Sequence, residues 1–391
     1  MKSICLVMIV KNESKIIRRC LDNVKDKINY WVIVDTGSED KTKEIILETL
    51  KDIPGELHDR KWVNFGVNRS ESLSLAKGKA DYLLLCDADE NILFSADFNA
   101  DDLTADAYLL SYIGGLDYSV PYLIRGDYNW RYVGVTHEYL DCDVPVKKEK
   151  LGTISIFDSK DGGSKADKFE RDIRLLEQGL IEEPDNSRYK FYLANSYRDI
   201  GNYEKAIEWY LKRINDGEWI EEVTVAYERL GLCYEKLNNP EKALYYWLLG
   251  YDYNPKRAEC LYYAIRQLRR EGKSRLGYQL GLMAEKIAYP INDILFINKD
   301  IYEYLLDYEM SINAYYVDDL KKGFDACKSV FIKCNDKDLL DITLGNIRYY
   351  KEAFHQDPSY SRYILSQRLA DLYPENHPLY DKAQRIMNWL K

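Results

Sequence analysis

The sequence predicts an α/β domain with a Rossmann-like, mostly parallel sheet, followed by an all-α array of helical repeats. Three observations carry this expectation. Over roughly the first 160 residues, β-prone apolar runs alternate with apolar residues at helical spacing. From about Asp167 the strand patterns stop, and beyond that point one stretch of sequence recurs. The boundary is placed between residues 165 and 166, giving expected domains 1–165 and 166–391. An apolar content of 46% over 391 residues is ample for two packed cores and argues against disorder.

ICLVMIV (4–10) is a continuous apolar run, which predicts a strand buried on both faces. KNESKIIRRCLDNV follows, with Asn12 as the expected cap of a helix whose apolar face is Ile16, Ile17, Cys20, Leu21 and Val24. WVIV (31–34) is the next strand. The loop DTGSEDKT behind it is rich in capping residues and opens a second helix through Ile45, Ile46 and Leu50. NFGVNRSESLSLAKGKA then places Phe65, Arg69, Leu73 and Ala76 along one helical face, and YLLLC (82–86) is another buried strand. Alternation of this kind gives parallel strands with helices on both sides of the sheet.

The strand at 82–86 runs straight into Asp87, Ala88, Asp89 and Glu90. Adjacent carboxylates repel, so such a cluster is either a solvated turn or is neutralised by a cation. A solvated turn is the commoner fate of an isolated Asp-x-Asp. Here the pair ends a buried strand, Asp35 ends an earlier one, and Arg69 lies on the helix between them. Ligands of open α/β sheets bind beyond the carboxyl ends of the strands. Asp35 is therefore placed to meet a nucleotide's base or ribose, and Asp87 with Asp89 to meet a hard divalent cation such as magnesium or manganese.

Taken in order, VMIVKNES, VIVDTGSEDKT, NFGVNRSESLSLAKGKADYLLLCDADE and WRYVGVTHEYL resemble the family 2 glycosyltransferases of GT-A fold. The likeness is to the branch of lipopolysaccharide-core glucosyltransferases and peptide S-glycosyltransferases with helical-repeat tails. It covers roughly the first 160 residues, and its specificity comes from four blocks in one order. The resemblance implies a nucleotide-sugar donor, UDP-linked, and a divalent metal cofactor. Asp35 would contact the uridine, Arg69 the nucleotide or its phosphates, Asp87 the ribose and metal, and Asp89 the metal. It further implies inversion at the anomeric carbon, with a carboxylate as general base.

THEYL (136–140) supplies the expected base, Glu138, with Asp117 or Asp158 next in line. Of the four histidines, His137 is the one placed to add a metal ligand or a bond to the diphosphate. Trp130 and Tyr132 are candidates for a sugar platform. The branch often carries another histidine on a later strand, where ISIFDSKDGG has Phe157 and Asp158, so Asp158 is a possible substitute ligand.

In the second part, YRDIGNYEKAIEWY (197–210) aligns with YEKLNNPEKALYYW (234–247), and a third unit is marked by the step from Ala243 to Gly277. The pattern resembles tetratricopeptide-type hairpins, whose stacked faces account for most of the 35 tyrosines as core. Arrays of this kind commonly bind peptides or self-associate, which suggests a protein, peptide or glycan acceptor and a possible homodimer through the repeats.

A net charge of -10, with no basic run interleaved with aromatics, excludes a recognisable nucleic-acid module. Eight cysteines without metal spacing read as reduced thiols. The first apolar run is too short to span a membrane and lacks a cleavage site, so a cytoplasmic enzyme without a transmembrane segment is expected. The haloacid-dehalogenase pattern fails at Asn91, and KNES has no glycine for a nucleotidyltransferase phosphate loop. The alternative function is a helical-repeat adaptor carrying an inactive transferase-like domain.

Overall fold

The computed structural model describes residues 2–113, 119–159, 161–162 and 168–390, so the expected boundary at 165/166 lies outside the described residues. By compactness the chain divides into two units, Met1–Ile200 and Gly201–Lys391.

The first unit contains strands β1 (Ile4–Val10), β2 (Tyr30–Asp35), β3 (Gly55–Asp59), β4 (Tyr82–Leu85), β5 (Glu90–Phe94), β6 (Ala107–Tyr112), β7 (Ser119–Arg125), β8 (Trp130–Val133), β9 (Tyr139–Cys142) and β10 (Lys148–Asp158). Its helices are α1 (Ile17–Val24), α2 (Thr42–Thr49), α3 (Phe65–Ala76), α4 (Lys168–Glu182) and α5 (Ser187–Asp199). The main sheet has the order β3-β2-β1-β4-β7-β6-β10-β5, and β8 with β9 forms a separate antiparallel ribbon. Strands β3, β2, β1 and β4 are parallel, as is the pair β6 and β10, whereas β7 and β5 run against their neighbours.

The mostly parallel α/β architecture expected from the sequence is thus observed. Ile4, Leu6, Met8 and Val10 of β1 pack with Ile17, Cys20, Leu21 and Val24 of α1 and with Ile46. Cys5 and Val7 point the other way, against Leu73 and Ala76 of α3. Because β2 lies on one side of β1 and β4 on the other, the chain diverges at β1 and leaves a crevice at the carboxyl ends of these three strands.

Two local features differ from expectation. GELHD forms an edge strand, β3, which has only Leu57 as a large apolar residue and therefore carries no strand signature. Asn12 does not cap α1. It takes a left-handed backbone at φ 57° and accepts a bond from the Glu39 amide at 2.8 Å, while Ile16 precedes the helix without a side-chain cap. All eight cysteines are free thiols.

The second unit is helical. It begins with α6 (Tyr203–Asp216), α7 (Ile220–Lys236), α8 (Pro240–Tyr253), α9 (Glu259–Arg270) and α10 (Ser274–Ala284). It continues with α11 (Leu306–Asn313), α12 (Leu320–Lys333), α13 (Lys337–Asn346), α14 (Lys351–Gln356), α15 (Ser359–Leu372) and α16 (Tyr380–Leu390). The repeat is visible in its turns. Gly201, Asn238 and Gly272 all have left-handed backbone, at φ 80°, 54° and 72°, just ahead of α6, α8 and α10. Asn202 and Asn239 then cap α6 and α8 by accepting the Lys205 and Lys242 amides. Ala206, Tyr210, Ala243 and Trp247 are fully buried, as core packing requires. Among the described residues no helix is long and apolar enough to cross a membrane.

Buried ion pairs lock the array. Arg257, 1% exposed, donates to both oxygens of the buried Glu259 at 2.9 and 2.8 Å, and Tyr302 adds a third bond to that carboxylate at 2.8 Å. Removing one member of such a pair strands the other charge. Arg257→Met should lower the unfolding free energy by about 3–5 kcal/mol in urea denaturation, and Arg257→Met with Glu259→Leu should recover much of that loss.

Candidate active site

The loops after β1 and β2 are laced together at the crevice. The Asn12 amide donates to Ser38 Oγ at 2.8 Å, the Glu13 amide to Thr42 Oγ1 at 2.8 Å, and the Ser14 amide to Asp40 Oδ2 at 3.0 Å. Burial alone would raise the Asp40 pKa. The bonds from Ser14 and Thr42 reverse that and bring it down to about 2. Asp35 ends β2 fully buried. Its Oδ1 accepts the Gly37 and Ser38 amides at 2.9 and 2.7 Å, a turn made possible by Gly37 at φ 106°, whereas Oδ2 has no partner. A buried acceptor without a donor is costly, and it marks Asp35 as a place where a ligand N–H or O–H would be stabilising.

The three acids after β4 go to three different environments. Asp87 receives Arg69 Nη2 on both oxygens, at 2.7 and 2.8 Å. Asp89 is half-buried and lies against Gly162, where an added Cβ would come within 2.9 Å of its Oδ2. Glu90 turns inward, 4% exposed, where its Oε2 accepts the Asp87 amide at 2.8 Å and its Oε1 accepts the hydroxyls of Tyr112 and Tyr122. Burial, with the nearby Asp87 charge, pushes the Glu90 pKa up to about 8. The sequence did not mark Glu90 for this role. Spacing within a four-residue turn does not say which acid faces the core.

Arg69 is the hub. Besides Asp87, its Nε stands 2.9 Å from Glu138 Oε1, a close ion pair without the alignment of a hydrogen bond, and its guanidinium lies 5.6 Å over the Tyr132 ring. Burial would lower the Arg69 pKa, but the Asp87 and Glu138 carboxylates hold it well above its ordinary value.

Glu138 sits in the turn between β8 and β9, which α3 approaches very closely. The Phe65 amide donates to Val135 O at 3.1 Å, and a Cβ on Gly66 would fall 2.1 Å from Gly134 O, so only glycine fits there. Ser70 Oγ bridges the amide and carbonyl of Tyr132 at 2.9 and 3.2 Å.

The structure therefore brings Arg69, Asp87 and Glu138 together, with Asp89 on the same turn as Asp87 and Asp35 at the end of the neighbouring strand system. His137 is placed differently. Its ring stacks on Tyr192 of α5 at 4.1 Å, and its Nε2 lies 3.6 Å from Asp172 of α4. Among the described residues no three His, Cys, Asp or Glu side chains are grouped as metal ligands. Two carboxylates on one partly exposed turn still fit a hard cation that keeps phosphate and water oxygens for the rest of its shell. Trp130 is not a sugar platform: it is 7% exposed, belongs to the core with Leu73 and Ile124, and donates to Arg125 O at 2.8 Å. Asp158 ends β10 opposite Glu90, and Asp117 lies outside the described residues.

Residues 5–95 match the family described as Glycosyl transferase family 2, and these residues carry Asp35, Arg69, Asp87 and Asp89. The N-terminal part of this chain is a family 2 glycosyltransferase domain. The SPbeta prophage-derived glycosyltransferase SunS of Bacillus subtilis is 26% identical over 225 residues, 54% of this chain and 52% of that protein. A TPR repeat-containing protein of Synechococcus elongatus is 34% identical over 97 residues, 25% of this chain and 23% of its own. The chain spans about half or less of the length of the curated relatives it matches. Among solved structures, S. aureus TarS is 15% identical with a TM-score of 0.37, covering 62% of this chain and 54% of that one. The glycosyltransferase domain is followed in this chain by the helical, TPR-like region described above.

The buried Glu90 gives the glycosyltransferase domain a pH signature. Its folded pKa is raised, so its contribution to stability is complete below the ordinary carboxylate value of 4.5 and is lost as pH rises toward about 8. Thermal denaturation from pH 5 to 9 should show this decline in the wild type. In Glu90→Gln, which keeps an acceptor for the Asp87 amide, the decline should be shallower.

Proposed function

We propose that the chain transfers a hexose from a UDP-linked donor to a protein, peptide or glycan acceptor, with inversion at the anomeric carbon and with a divalent metal. The observation that carries this reading is the grouping of Arg69 with Asp87 and Glu138, beside Asp89 on the turn after β4 and with Asp35 at the carboxyl end of β2, in a chain whose residues 5–95 match the family 2 glycosyltransferases. In this reading the orphaned Oδ2 of Asp35 takes an N–H of the uracil base after a small side-chain rotation. Asp89 and Asp87 are the residues that would hold manganese or magnesium, which when bound would supply positive charge to stabilise the leaving diphosphate. Arg69 fixes Asp87 and adds positive potential behind the phosphates.

Glu138 takes the proton of the acceptor nucleophile as that nucleophile bonds to the anomeric carbon, and the electron pair of the breaking sugar–phosphate bond goes to the nucleoside diphosphate. Arg69 Nε, 2.9 Å from Oε1, holds the Glu138 carboxylate in place for this step. The same contact supports a second reading, in which Glu138 serves chiefly to orient Arg69.

Calorimetry with UDP tests the metal assignment. The wild type should bind UDP more tightly with manganese than without, and Asp89→Ala should abolish both that difference and turnover. Equal affinities in the wild type, or full activity of Asp89→Ala, would remove the metal from this turn. Glu138→Gln separates the two readings of Glu138. As a base its loss should cut turnover by about 10²–10⁴-fold with little change in UDP affinity. Parallel losses of rate and affinity would make it an orienting residue.

A further inference from the structure

We infer that α4 and α5 are part of the transferase machinery, where they act as a clamp that positions the turn carrying Glu138. The turn is awkward by itself. His137, directly ahead of Glu138, has φ 50°, a left-handed conformation that costs a residue with a bulky side chain of order 1–3 kcal/mol. Pairing of β8 with β9 runs from Trp130 opposite Cys142 to Val133 opposite Tyr139, so the ladder stops short of the turn and does not fix its tip.

What fixes it comes from the two helices, and it reaches three consecutive residues. Val135 Cγ2 lies 3.3 Å from where a Cβ on Gly179 of α4 would stand, a close approach that this glycine permits. Thr136 Oγ1 donates to Asp172 Oδ1 at 3.2 Å. Arg188 of α5 donates to His137 O through both Nε and Nη2, at 3.2 and 2.8 Å, and the Tyr192 ring stacks on the His137 imidazole within 10° of parallel. Arg188 is itself stacked, 4.8 Å over Tyr192 and 5.4 Å over Tyr139, so its fork is aimed by the rings it bridges. Asp172 is buried, and that burial raises its pKa.

The same turn also meets α3, through the Phe65 amide on Val135 O and Arg69 on Glu138. The three residues ahead of Glu138 are thus held by a helical pair far along the chain, while its carboxylate pairs with Arg69 of α3. Positioning is the role that follows, because an error of about 1 Å in a reacting group costs on the order of 100-fold in rate. Arg188, Asp172 and Tyr192 are positioning residues in this scheme and act through Glu138.

The functional part of this inference rests on the glycosyl-transfer reading, and the test keeps the two apart. In the full chain, Arg188→Lys and Tyr192→Leu should lower hydrolysis of UDP-glucose with manganese by about 10–100-fold through kcat, while UDP affinity stays unchanged. Tyr192→Phe, which keeps the ring, should retain the wild-type rate. Placed on Glu138→Gln, Arg188→Lys should cost little more, because the residue it positions is already gone. Independently of any activity, hydrogen exchange at 134–138 should speed up in Tyr192→Leu while β1 and β4 keep their protection. Wild-type turnover in Arg188→Lys and Tyr192→Leu, or losses that multiply with Glu138→Gln, would overturn the positioning role. If the wild-type protein turned over no donor, the exchange measurement alone would decide the clamp, and unchanged exchange at 134–138 would refute it.

Discussion

The site depends on one buried cation. Arg69 stands among Asp87, Glu138 and the inward-turned Glu90, and without it these acids would lack a neutralising cation among them. A guanidinium suits this position because its planar fork serves two carboxylates in different directions and does not give up its proton on burial. The acid it does not serve directly, Glu90, is buried beside the Asp87 charge, which favours its neutral form more than the two tyrosine hydroxyls and the backbone amide that donate to it favour the charged one. The acids of the turn after β4 therefore part company: Asp87 pairs with Arg69, and the carboxyl facing the core prefers its proton.

How much of this was legible depended on whether the signal was local. β1, β2 and β4 were readable because a strand covered on both faces must be apolar throughout, and Asp35, Asp87 and Asp89 were readable because they end such strands. β3 was not, since an edge strand with one buried neighbour needs little apolar content. Asn12 was misplaced because an Asx side chain that caps a helix and one that reaches a neighbouring loop look alike in sequence. Trp130 looked available to a sugar because it stands among aromatics, but its indole N–H had a carbonyl partner five residues away that made burial the better outcome. The setting of His137 depends on Asp172, Arg188 and Tyr192, and no spacing rule links residues so far apart.

The repeat region shows the opposite situation. Its register was visible because the same physical problem recurs: a chain leaving one helix must reverse within a few residues. Gly201, Asn238 and Gly272 solve it with the same left-handed residue. Asparagine at 238 accepts a conformation that glycine takes without cost, and the cap that follows is asparagine both times. The aromatic side chains vary more freely because a packed interior constrains volume more than identity.

The contact between Gly66 and the Gly134 carbonyl has a mechanical consequence. Two backbones in direct touch, with no side chain between them to rotate or compress, behave as one rigid piece. Arg69 rides on the first backbone and Glu138 on the second. Any shift of α3 is therefore transmitted without slack to the turn that carries Glu138, so the guanidinium and the carboxylate move together.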